Sequence, residues 1–437
     1  MGSILGADMN IFCSGIGGIG LSAYASHMNS AGHRVWGSDA VDSPLLDDVR
    51  SQGISVSLTQ DGSALPQQLD VLVYSEAISE SSPERMLAKE RGVRQLSYFH
   101  ALGEMTSGST VIAICGTHGK SSTTAMCARM MIECGKDPNI VVGTKLRELD
   151  GRNWRKGSQN LWIVEACEYR RSFLFLSPSI ILLTNADGDH FDSFRGIEDY
   201  HQAFVDFISL LPTDGTVIAH GSDTQAREII LKSGWSFTDA DSEPLITLAT
   251  PGLHMRKNAQ LALSLGKLMD IPDRAAQAAV SSYSGSWRRM ELRGTTAQGI
   301  PVIDDYAHHP VEIRATLSAM REAFPGKRLV VIFQPHTHHR TLALWNEFSA
   351  SFGDASIVIV TDIYDARPEN SAQKASLEHL VADIQSHTKN GTVYAGGSLQ
   401  NTEVLLRSGL LTTNDVLVFL GAGSITTLAG VVASHSA

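Results

Sequence analysis

The stretch that most constrains the fold is residues 111–124, VIAICGTHGKSSTT. Its short apolar run predicts a buried parallel strand, and the residues after Lys120 begin a helical pattern. Between them lies a loop with glycine at positions 116 and 119. Such a loop presents backbone N–H groups to an anion, with Lys120 as a point charge and the Ser121 hydroxyl as a magnesium ligand. The segment therefore predicts a phosphate loop that binds a nucleoside triphosphate.

The match to the full phosphate-loop pattern is incomplete, because that pattern has a further glycine where Ile114 stands. A chance GxxGKS in an ordinary surface loop is the alternative interpretation. The apolar strand before the loop and the helical pattern after it favour a shortened phosphate loop.

Length and composition indicate a multidomain protein without a transmembrane segment. The 437 residues have room for about two or three domains. No stretch approaches the ~18 apolar residues of a membrane span, and no signal-peptide pattern is present, so we expect a soluble cytoplasmic protein. A net charge of -11 argues against a nucleic-acid or anionic-membrane partner. The five scattered cysteines predict reduced, buried thiols.

A second glycine-rich loop follows the first predicted strand, residues 10–14. Its sequence is GIGGIG over residues 15–20, and a helical pattern comes next. Asp39 follows the second apolar run, where its carboxylate could accept a hydrogen bond from a ribose hydroxyl, and Ser75 follows the third. The pattern is typical of a loop that binds a diphosphate, either of a dinucleotide or of a UDP-sugar. A tight turn beside an empty pocket is the alternative.

An acidic residue follows a predicted strand of the middle segment. Glu165 comes directly after the apolar residues 161–164. Ligands gather at the carboxyl ends of parallel strands, so Glu165 is expected to lie beside the phosphate loop. We predict that it shares the magnesium ion of Ser121.

The polar run TNADGDHFD, residues 184–192, follows the predicted strand 180–183. His190 in this run is predicted to hold a second metal ion. Turns favour aspartate, and the three acids of the run are therefore predicted to be solvated loop residues. They are Asp187, Asp189 and Asp192.

Arg288 and Arg289 lie between the middle and third patterns, at a plausible hinge. An arginine there could clamp the terminal phosphate of a nucleotide, although linker arginines are by default solvated. Upstream, residues 253–268 have helical periodicity with Asn258 near the start, and residues 235–250 have no assignable pattern.

The third segment again alternates strand and helix patterns, and each predicted strand ends in polar residues. The clearest examples are DDYAHHP and QPHTHHR, which precede predicted helices over 311–324 and 341–352. Neighbouring histidines on a loop rarely converge on one ion and no cysteine accompanies them, so zinc is disfavoured. Hydrogen bonds to a small anionic substrate are the favoured role.

Several motifs, in order along the chain, resemble the Mur ligases of bacterial cell-wall synthesis. They are GIGGIGLSA, GTHGKSS, VEACEYRRSFL, TNADGDHFD, DDYAHHPVEIRATL, FQPHTHHRT and TDIYDAR. The resemblance is strongest to the members that join L-alanine to UDP-N-acetylmuramate. It implies an α/β fold of three domains with mainly parallel sheets. These would be a Rossmann-like UDP-sugar-binding domain (1–106), a central P-loop ATPase-like domain (107–289) and a Rossmann-like amino-acid-binding domain (290–437).

The resemblance also implies the reaction. The family joins an amino acid to the carboxylate of a sugar nucleotide at the expense of ATP, with Mg²⁺, through an acyl phosphate. We therefore expect UDP-N-acetylmuramate and L-alanine as substrates in peptidoglycan precursor synthesis, and a monomer or weak homodimer. The alternatives are a recycling ligase that joins a tripeptide to the same nucleotide, a dinucleotide-dependent oxidoreductase, and a nucleotide-binding module without chemistry. The FQPHTHHRT loop favours alanine, and an oxidoreductase leaves GTHGKSS without a purpose.

The resemblance implies a role for each matching residue. The catalytic residues would be Lys120, Glu165, His190 and Arg289. The ATP contacts would be Gly116, Thr117, His118, Gly119, Lys120, Ser121, Ser122, Asn258, Arg289 and Asp305. The UDP-sugar contacts would be Gly15, Ile16, Gly17, Gly18, Ile19, Gly20, Asp39 and Ser75. The amino-acid contacts would be Tyr306, His308, His336 and Arg340, and the magnesium ligands Ser121, Glu165 and His190.

Overall fold

The structure is a computed structural model that describes residues 8–189, 193–365, 374–389 and 391–433. Within these ranges the chain forms three sheets, each from one stretch of sequence and each covered by helices. The parts described include no helix with the length and apolar character needed to cross a bilayer. The predicted α/β class with three mainly parallel sheets is confirmed.

The first sheet is parallel throughout, with strand order β3-β2-β1-β4-β5. Its strands are β1 (Asn10–Ser14), β2 (Arg34–Ser38), β3 (Ser55–Ser57), β4 (Val71–Tyr74) and β5 (Arg94–Ser97). Its helices are α1 (Ile19–Ser30), α2 (Pro44–Ser51), α3 (Pro83–Glu90) and α4 (Tyr98–Thr106). Apolar side chains of β1 and β4 pack against Leu21 and Tyr24 of α1. The strand order reverses between β1 and β4, which places the glycine loop at the crevice where open α/β sheets bind ligands.

The second sheet has the order β12-β11-β10-β6-β9-β7-β8 and is parallel except for the β7-β8 pair. Its strands are β6 (Thr110–Cys115), β7 (Asn139–Leu146), β8 (Arg152–Arg155), β9 (Leu161–Glu165), β10 (Ile180–Leu183), β11 (Thr216–Ala219) and β12 (Thr238–Asp239). The helices are α5 (Lys120–Glu133), α6 (Ile197–Ile208), α7 (Thr224–Lys232), α8 (Leu253–Leu268) and α9 (Asp273–Ser281), with 3₁₀ turns at Arg147–Leu149, Tyr169–Phe175 and Ala240–Ser242. β6 is central, so the loop that follows it lies in the middle of the ligand-binding edge.

The third sheet has the order β13-β14-β18-β15-β16-β17, with one antiparallel pair, β13-β14. Its strands are β13 (Glu291–Thr295), β14 (Pro301–Asp305), β15 (Arg328–Phe333), β16 (Ile357–Thr361), β17 (Thr392–Gly397) and β18 (Asp415–Leu420). The helices are α10 (Pro310–Ala323), α11 (His338–Ala343), α12 (Trp345–Ser349), α13 (Leu377–His387), α14 (Leu399–Leu405) and α15 (Ile425–Ala433), and a π-helical turn spans Leu406–Leu410.

Two local predictions for the third segment differ in outcome. The helix after DDYAHHP begins at Pro310, where the Glu312 carboxylate accepts hydrogen bonds from the backbone N–H groups of His308 and His309. The single helix predicted over 341–352 is wrong. Leu344 leaves helical geometry and its side chain enters the core beside Phe348, so the segment forms the two short helices α11 and α12.

Contacts divide the chain into two compact units. The first unit comprises the residues up to Gly188, Ile197–Pro244 and Asn258–Val280, and therefore holds the first two sheets. The second unit comprises Asp189–Gly196, Leu245–Lys257 and the chain from Ser281 onward, with the third sheet. The domain limits expected near residues 106 and 289 stay a prediction.

All five cysteines are free thiols. Cys13, Cys115 and Cys127 are buried, as predicted. The prediction is wrong for Cys134 and Cys167, which are partly exposed.

Candidate functional site

The phosphate loop, residues 116–121, depends on two glycines. Gly116 and Gly119 have φ angles of +134° and +80°, a region in which side chains are rarely tolerated. A Cβ atom on Gly116 would overlap the Thr184 hydroxyl, and one on Gly119 would lie 2.7 Å from Asn258 Oδ1. The backbone path and the close packing therefore both require glycine. Asn258, one of the predicted ATP contacts, lies directly against the loop.

The residues that follow β10 hold the phosphate loop in place. The Thr184 hydroxyl donates to the His118 carbonyl at 2.6 Å. Asn185 accepts from the His118 N–H at 2.9 Å and donates to its carbonyl at 3.0 Å, and its own carbonyl accepts from Thr117 N–H at 3.1 Å. The sequence alone had indicated no role for Thr184 and Asn185. Their position at a strand end beside the phosphate-loop strand is the signal that could have found them.

Lys120 is anchored inside the loop that it belongs to. Its ammonium group donates to the carbonyls of Gly116 and Thr117 and lies 2.9 Å from Glu168 Oε2. Glu168 is completely buried. Burial disfavours the charge on Lys120, but the neighbouring acidic groups, chiefly the Glu168 carboxylate, together outweigh that effect and raise the pKa of Lys120. The role of Glu168 was not predicted, because the residues around it in the sequence do not indicate that its side chain is buried.

Ser121 and Glu165 meet at the start of α5. The Ser121 hydroxyl donates to Glu165 Oε1 at 3.0 Å, and Glu165 Oε2 accepts from the Gly143 N–H at 2.8 Å. A hydroxyl and a carboxylate oxygen are the hard donors that Mg²⁺ prefers, and magnesium usually takes its other ligands from phosphates and water. The pair therefore fits a magnesium ion beside a bound triphosphate.

No cluster of three or more His, Cys, Asp or Glu side chains that could hold a metal ion occurs in residues 8–189, 193–365, 374–389 or 391–433. His190, the predicted ligand of a second ion, lies outside these described residues, as does Asp192.

The glycine loop, residues 15–20, brings together the UDP-sugar contacts predicted from the sequence. A Cβ on Gly15 would lie 2.9 Å from Ser75 Cβ, so the residue that follows β4 packs against the loop. Asp39 Oδ2 accepts from the Gly17 N–H at 2.8 Å. Ile16 is buried beneath the loop and α1 begins at Ile19, which directs backbone N–H groups of a helix start toward this crevice.

Arg288 and Arg289, which the sequence places at a predicted hinge, have different environments. Arg288 is buried, donates to the Gly421 carbonyl and lies 3.5 Å from Asp304 Oδ1. The alternative that both arginines are solvated is therefore wrong for Arg288, which fixes the loop after β18. Arg289 Nη1 lies 3.7 Å from Glu312 Oε1.

Asp305 is buried at the carboxyl end of β14. Its two oxygens accept hydrogen bonds from the N–H groups of Met290 and Ala307, each at 2.7 Å. Burial raises the pKa of Asp305 to about 6, against the opposing charge of Arg289. The carboxyl group therefore holds the backbone at Met290 and Ala307, beside Arg289, and the ATP contact expected of it stays a prediction.

The predicted amino-acid contacts form one cluster in the second unit, the histidine cluster, made of Tyr306, His308, His336 and Arg340. The rings of Tyr306 and His308 are 5.3 Å apart and those of His308 and His336 are 5.8 Å apart. The guanidinium of Arg289 lies 5.2 Å from the Tyr306 ring centre. Burial lowers the pKa of His308 to about 4, although the nearby Glu312 carboxylate opposes the shift. His308 is thus neutral at physiological pH.

Arg340 completes this cluster through three hydrogen bonds. Its Nε and Nη2 donate to the two oxygens of Asp189 at 3.0 and 3.1 Å, and its Nη1 donates to His336 Nδ1 at 2.8 Å. The prediction that Asp189 is a solvated loop acid is wrong, since its side chain is 6% exposed. The partner that removes it from solvent is 151 residues away in sequence, which a local pattern could not reveal. Asp187 is only partly exposed, 3.7 Å from His118 Nε2.

The described site residues thus form three groups. The first unit holds the phosphate loop with Glu165 and Asn258, and separately the glycine loop with Asp39 and Ser75. The second unit holds the group made of Arg289, Asp305, Tyr306, His308, His336 and Arg340.

Three family models match the chain in order. They are the Mur ligase family, catalytic domain (residues 11–110), the Mur ligase middle domain (114–243) and the Mur ligase, glutamate ligase domain (288–423). Among solved structures, the UDP-N-acetylmuramate–alanine ligase of Thermotoga maritima has a TM-score of 0.79 at 25% identity, covering 96% of this chain and 97% of that one. A murein peptide ligase of Psychrobacter arcticus has a TM-score of 0.71 at 21% identity, covering 97% and 99%, and shows the fold alone.

Curated relatives match over nearly the same length. The UDP-N-acetylmuramate–L-alanine ligase of Lachnospira eligens is 36% identical and covers 95% of this chain and 96% of its own. The enzyme of the same name from Persephonella marina is 33% identical and covers 97% and 96%. With this identity over almost the whole length, the chain belongs to the Mur ligase family.

Proposed function

We propose that this chain is an ATP-dependent ligase that forms an amide bond between the carboxylate of UDP-N-acetylmuramate and the amine of L-alanine. The observation that supports the proposal most is the convergence of Lys120, Ser121 and Glu165 at one helix start, below a loop that only glycines can form. The two curated relatives described above are named for this reaction, and their similarity to this chain extends along nearly all of its length.

In the proposed first step, the sugar carboxylate attacks the γ-phosphorus of ATP, and an acyl phosphate and ADP result. The negative charge that spreads over the transferring group needs fixed positive charge and oriented N–H groups. Lys120 supplies the charge, and the N–H groups at the start of α5 supply the dipoles. Lys120 forms its ion pair with Glu168 in the present structure. We propose that phosphate oxygens share or replace that contact.

Ser121 and Glu165 are proposed to hold the magnesium ion. When bound, the ion would neutralise phosphate charge and orient the triphosphate. The residues of the chain prepare for it by holding two oxygens 3.0 Å apart, with Glu165 fixed from behind by the Gly143 N–H. The same residues therefore position the ion without a dedicated all-protein cage.

The glycine loop is proposed to hold the UDP diphosphate, because its backbone and the start of α1 face the switch-point crevice of the first sheet. Asp39 and Ser75 would lie at the edge of that crevice. The arrangement could also serve a dinucleotide, but such a function gives the phosphate loop and its Glu165 no purpose.

The histidine cluster is proposed to bind the amino acid. The Arg340 guanidinium can donate hydrogen bonds to the carboxylate of the amino acid. The His308 ring is neutral, so it places no positive charge beside the incoming amino group. In the second step the free amine attacks the acyl carbon and the C–N bond forms. The bond between that carbon and the phosphate oxygen breaks, inorganic phosphate leaves with the electron pair, and the nitrogen gives up one proton to the departing phosphate. Water has to be excluded while the acyl phosphate exists.

The direct test measures phosphate release by the purified chain with ATP, Mg²⁺ and UDP-N-acetylmuramate. Acceptors are added one at a time, namely L-alanine, L-serine, glycine and the murein tripeptide. We expect turnover that requires all components, is greatest with L-alanine and is lost when EDTA removes the metal. Turnover with the tripeptide alone would replace this function by the recycling ligase, and phosphate release independent of the sugar nucleotide would overturn both.

A further inference from the structure

Asp189 and Arg340 form a side-on ion pair that is almost completely buried. Nε and Nη2 of the guanidinium donate to different oxygens of the carboxylate, and the two side chains are only 10% and 6% exposed. Both residues belong to the second unit. Neither charge can be relieved by water to any great extent, so each depends on the other.

The hydrogen bonds fix which edge of the Arg340 guanidinium is used. An arginine has five N–H donors in a planar fork. Asp189 takes the side edge formed by Nε and Nη2, and His336 Nδ1 takes one donor of Nη1. The end edge, formed by the second N–H of Nη1 and of Nη2, has the spacing that a carboxylate matches with two parallel hydrogen bonds.

We propose that Asp189 is a positioning residue for the amino-acid substrate, since it locks Arg340 so that the end edge of the guanidinium receives the substrate α-carboxylate. The proposal rests on the proposed function and deepens it. Asp189 itself makes no contact with the substrate. It acts by fixing the rotamer of Arg340 before the substrate arrives, which lowers the ordering cost of binding.

The rest of the cluster supports this orientation. His336 accepts from Nη1 at 2.8 Å and its ring lies 5.8 Å from that of His308, so the arginine is fixed on the side of the histidine cluster as well. Removal of the Asp189 charge would leave a buried guanidinium with one partner fewer. The expected response is a different rotamer of Arg340, with loss of the end-edge geometry.

A matched control exists in the same unit. Arg328 Nε and Nη2 donate to the two oxygens of Asp415 at 2.7 and 2.9 Å, and Asp415 is fully buried. These residues begin β15 and β18, at the opposite ends of the strands from the loops that carry the cluster. Arg328 is more exposed than Arg340, at 36% against 10%, so the two pairs share the side-on geometry but not the burial of the arginine. Asp415→Asn therefore disturbs a side-on ion pair of the same unit without disturbing the amino-acid contacts.

The test is steady-state kinetics on the full chain, after turnover of the wild-type chain with L-alanine has been established. Asp189→Asn is expected to raise the KM for L-alanine by about tenfold or more, with the KM for ATP within about twofold of the wild-type value. Asp189→Glu, which retains the charge, should restore part of the loss. Asp415→Asn should lower the melting temperature but leave the KM for L-alanine within about twofold.

A double-mutant cycle gives a second readout that does not depend on one variant. Arg340→Lys alone should raise the KM for L-alanine, and adding Asp189→Asn to it should change the KM little further, because the pair acts as one unit. An unchanged KM in folded Asp189→Asn, or additive effects in the cycle, would overturn the inference. If Asp189→Asn does not fold, an unchanged KM for L-alanine in folded Arg340→Lys overturns the inference equally, because lysine has no guanidinium edge to position. Absence of turnover in the wild-type chain would instead overturn the proposed function.

Discussion

The phosphate loop of the first unit and the histidine cluster of the second are built in different ways. The phosphate loop is defined by its backbone, since Gly116 and Gly119 occupy conformations and spaces that a side chain cannot enter. The histidine cluster is defined by its side chains, with Arg340 held by an aspartate 151 residues away. A backbone-built site is encoded locally, whereas a side-chain-built site requires the whole fold.

The difference extends to electrostatics. Lys120 carries a raised pKa beside Glu168, so its charge is secure at any physiological pH. In the second unit, burial holds the pKa of His308 near 4 and that of Asp305 near 6. The first site is thus expected to fail through backbone changes, and the second through loss of a partner or through acid.

Among the variants that compare the two regions, the largest effect is expected from Gly116→Ala. The added Cβ overlaps the Thr184 hydroxyl at a φ of +134°, so the loop must shift and carry its N–H groups away from the phosphates. Turnover should fall by roughly 100-fold or more, since small displacements of positioning groups cost that much. Phosphate release under saturating substrates measures it.

Gly135→Ala is the matched control for this change. Gly135 also has a positive φ, +78°, but a Cβ there meets nothing within 4 Å. It should lower stability slightly, with turnover close to wild type. Equal losses of turnover in the two variants would mean that left-handed glycines in general, and not the phosphate loop, limit activity.

A smaller effect is expected from acid. Because burial depresses the pKa of His308 from 6.5 to about 4, the folded state favours the neutral ring. Its contribution to stability is complete above pH 6.5 and is lost as the pH falls toward 4, which amounts to about 3 kcal/mol at most. His308→Gln should remove that share of the pH dependence. Hydrogen exchange of the buried β18 amides reports it for the second unit.

His27 is the corresponding residue of the first unit, because burial lowers its pKa to about 4 as well. His27→Gln should reduce the acid sensitivity of the β6 amides and leave that of β18 unchanged, while His308→Gln does the reverse. If either variant alters both sets of amides equally, the two units do not respond to acid separately.

The sequence predicts the parts of the structure that depend on short-range patterns. The strand, the loop and the helix around Lys120 could be predicted, because the apolar run, the two glycines and the start of the helix all lie within 14 residues of sequence. The proximity of Glu165 to Ser121 followed from the rule that parallel strands end at one edge. The roles assigned to these residues remain predictions.

Other features could not be predicted, because they depend on burial and distant partners. Glu168 was assigned no role and Asp189 was predicted to be a solvated loop acid, yet each pairs with a largely buried cation from elsewhere in the chain. The break at Leu344 has the same origin, since tertiary packing of that side chain overrides a helical pattern. Local periodicity contains no information about these long-range contacts.

The most direct test of the central claim, that the Lys120 loop carries the phosphoryl transfer, is the turnover of Lys120→Ala with ATP, UDP-N-acetylmuramate and L-alanine. Because alanine leaves the Glu168 carboxylate buried without the lysine charge, Lys120→Ala/Glu168→Gln is measured beside it to separate misfolding from loss of chemistry. We predict that turnover falls by roughly 1,000-fold or more in both variants, with UDP-N-acetylmuramate binding within about threefold of wild type. Either folded variant retaining a tenth or more of wild-type turnover would contradict the account.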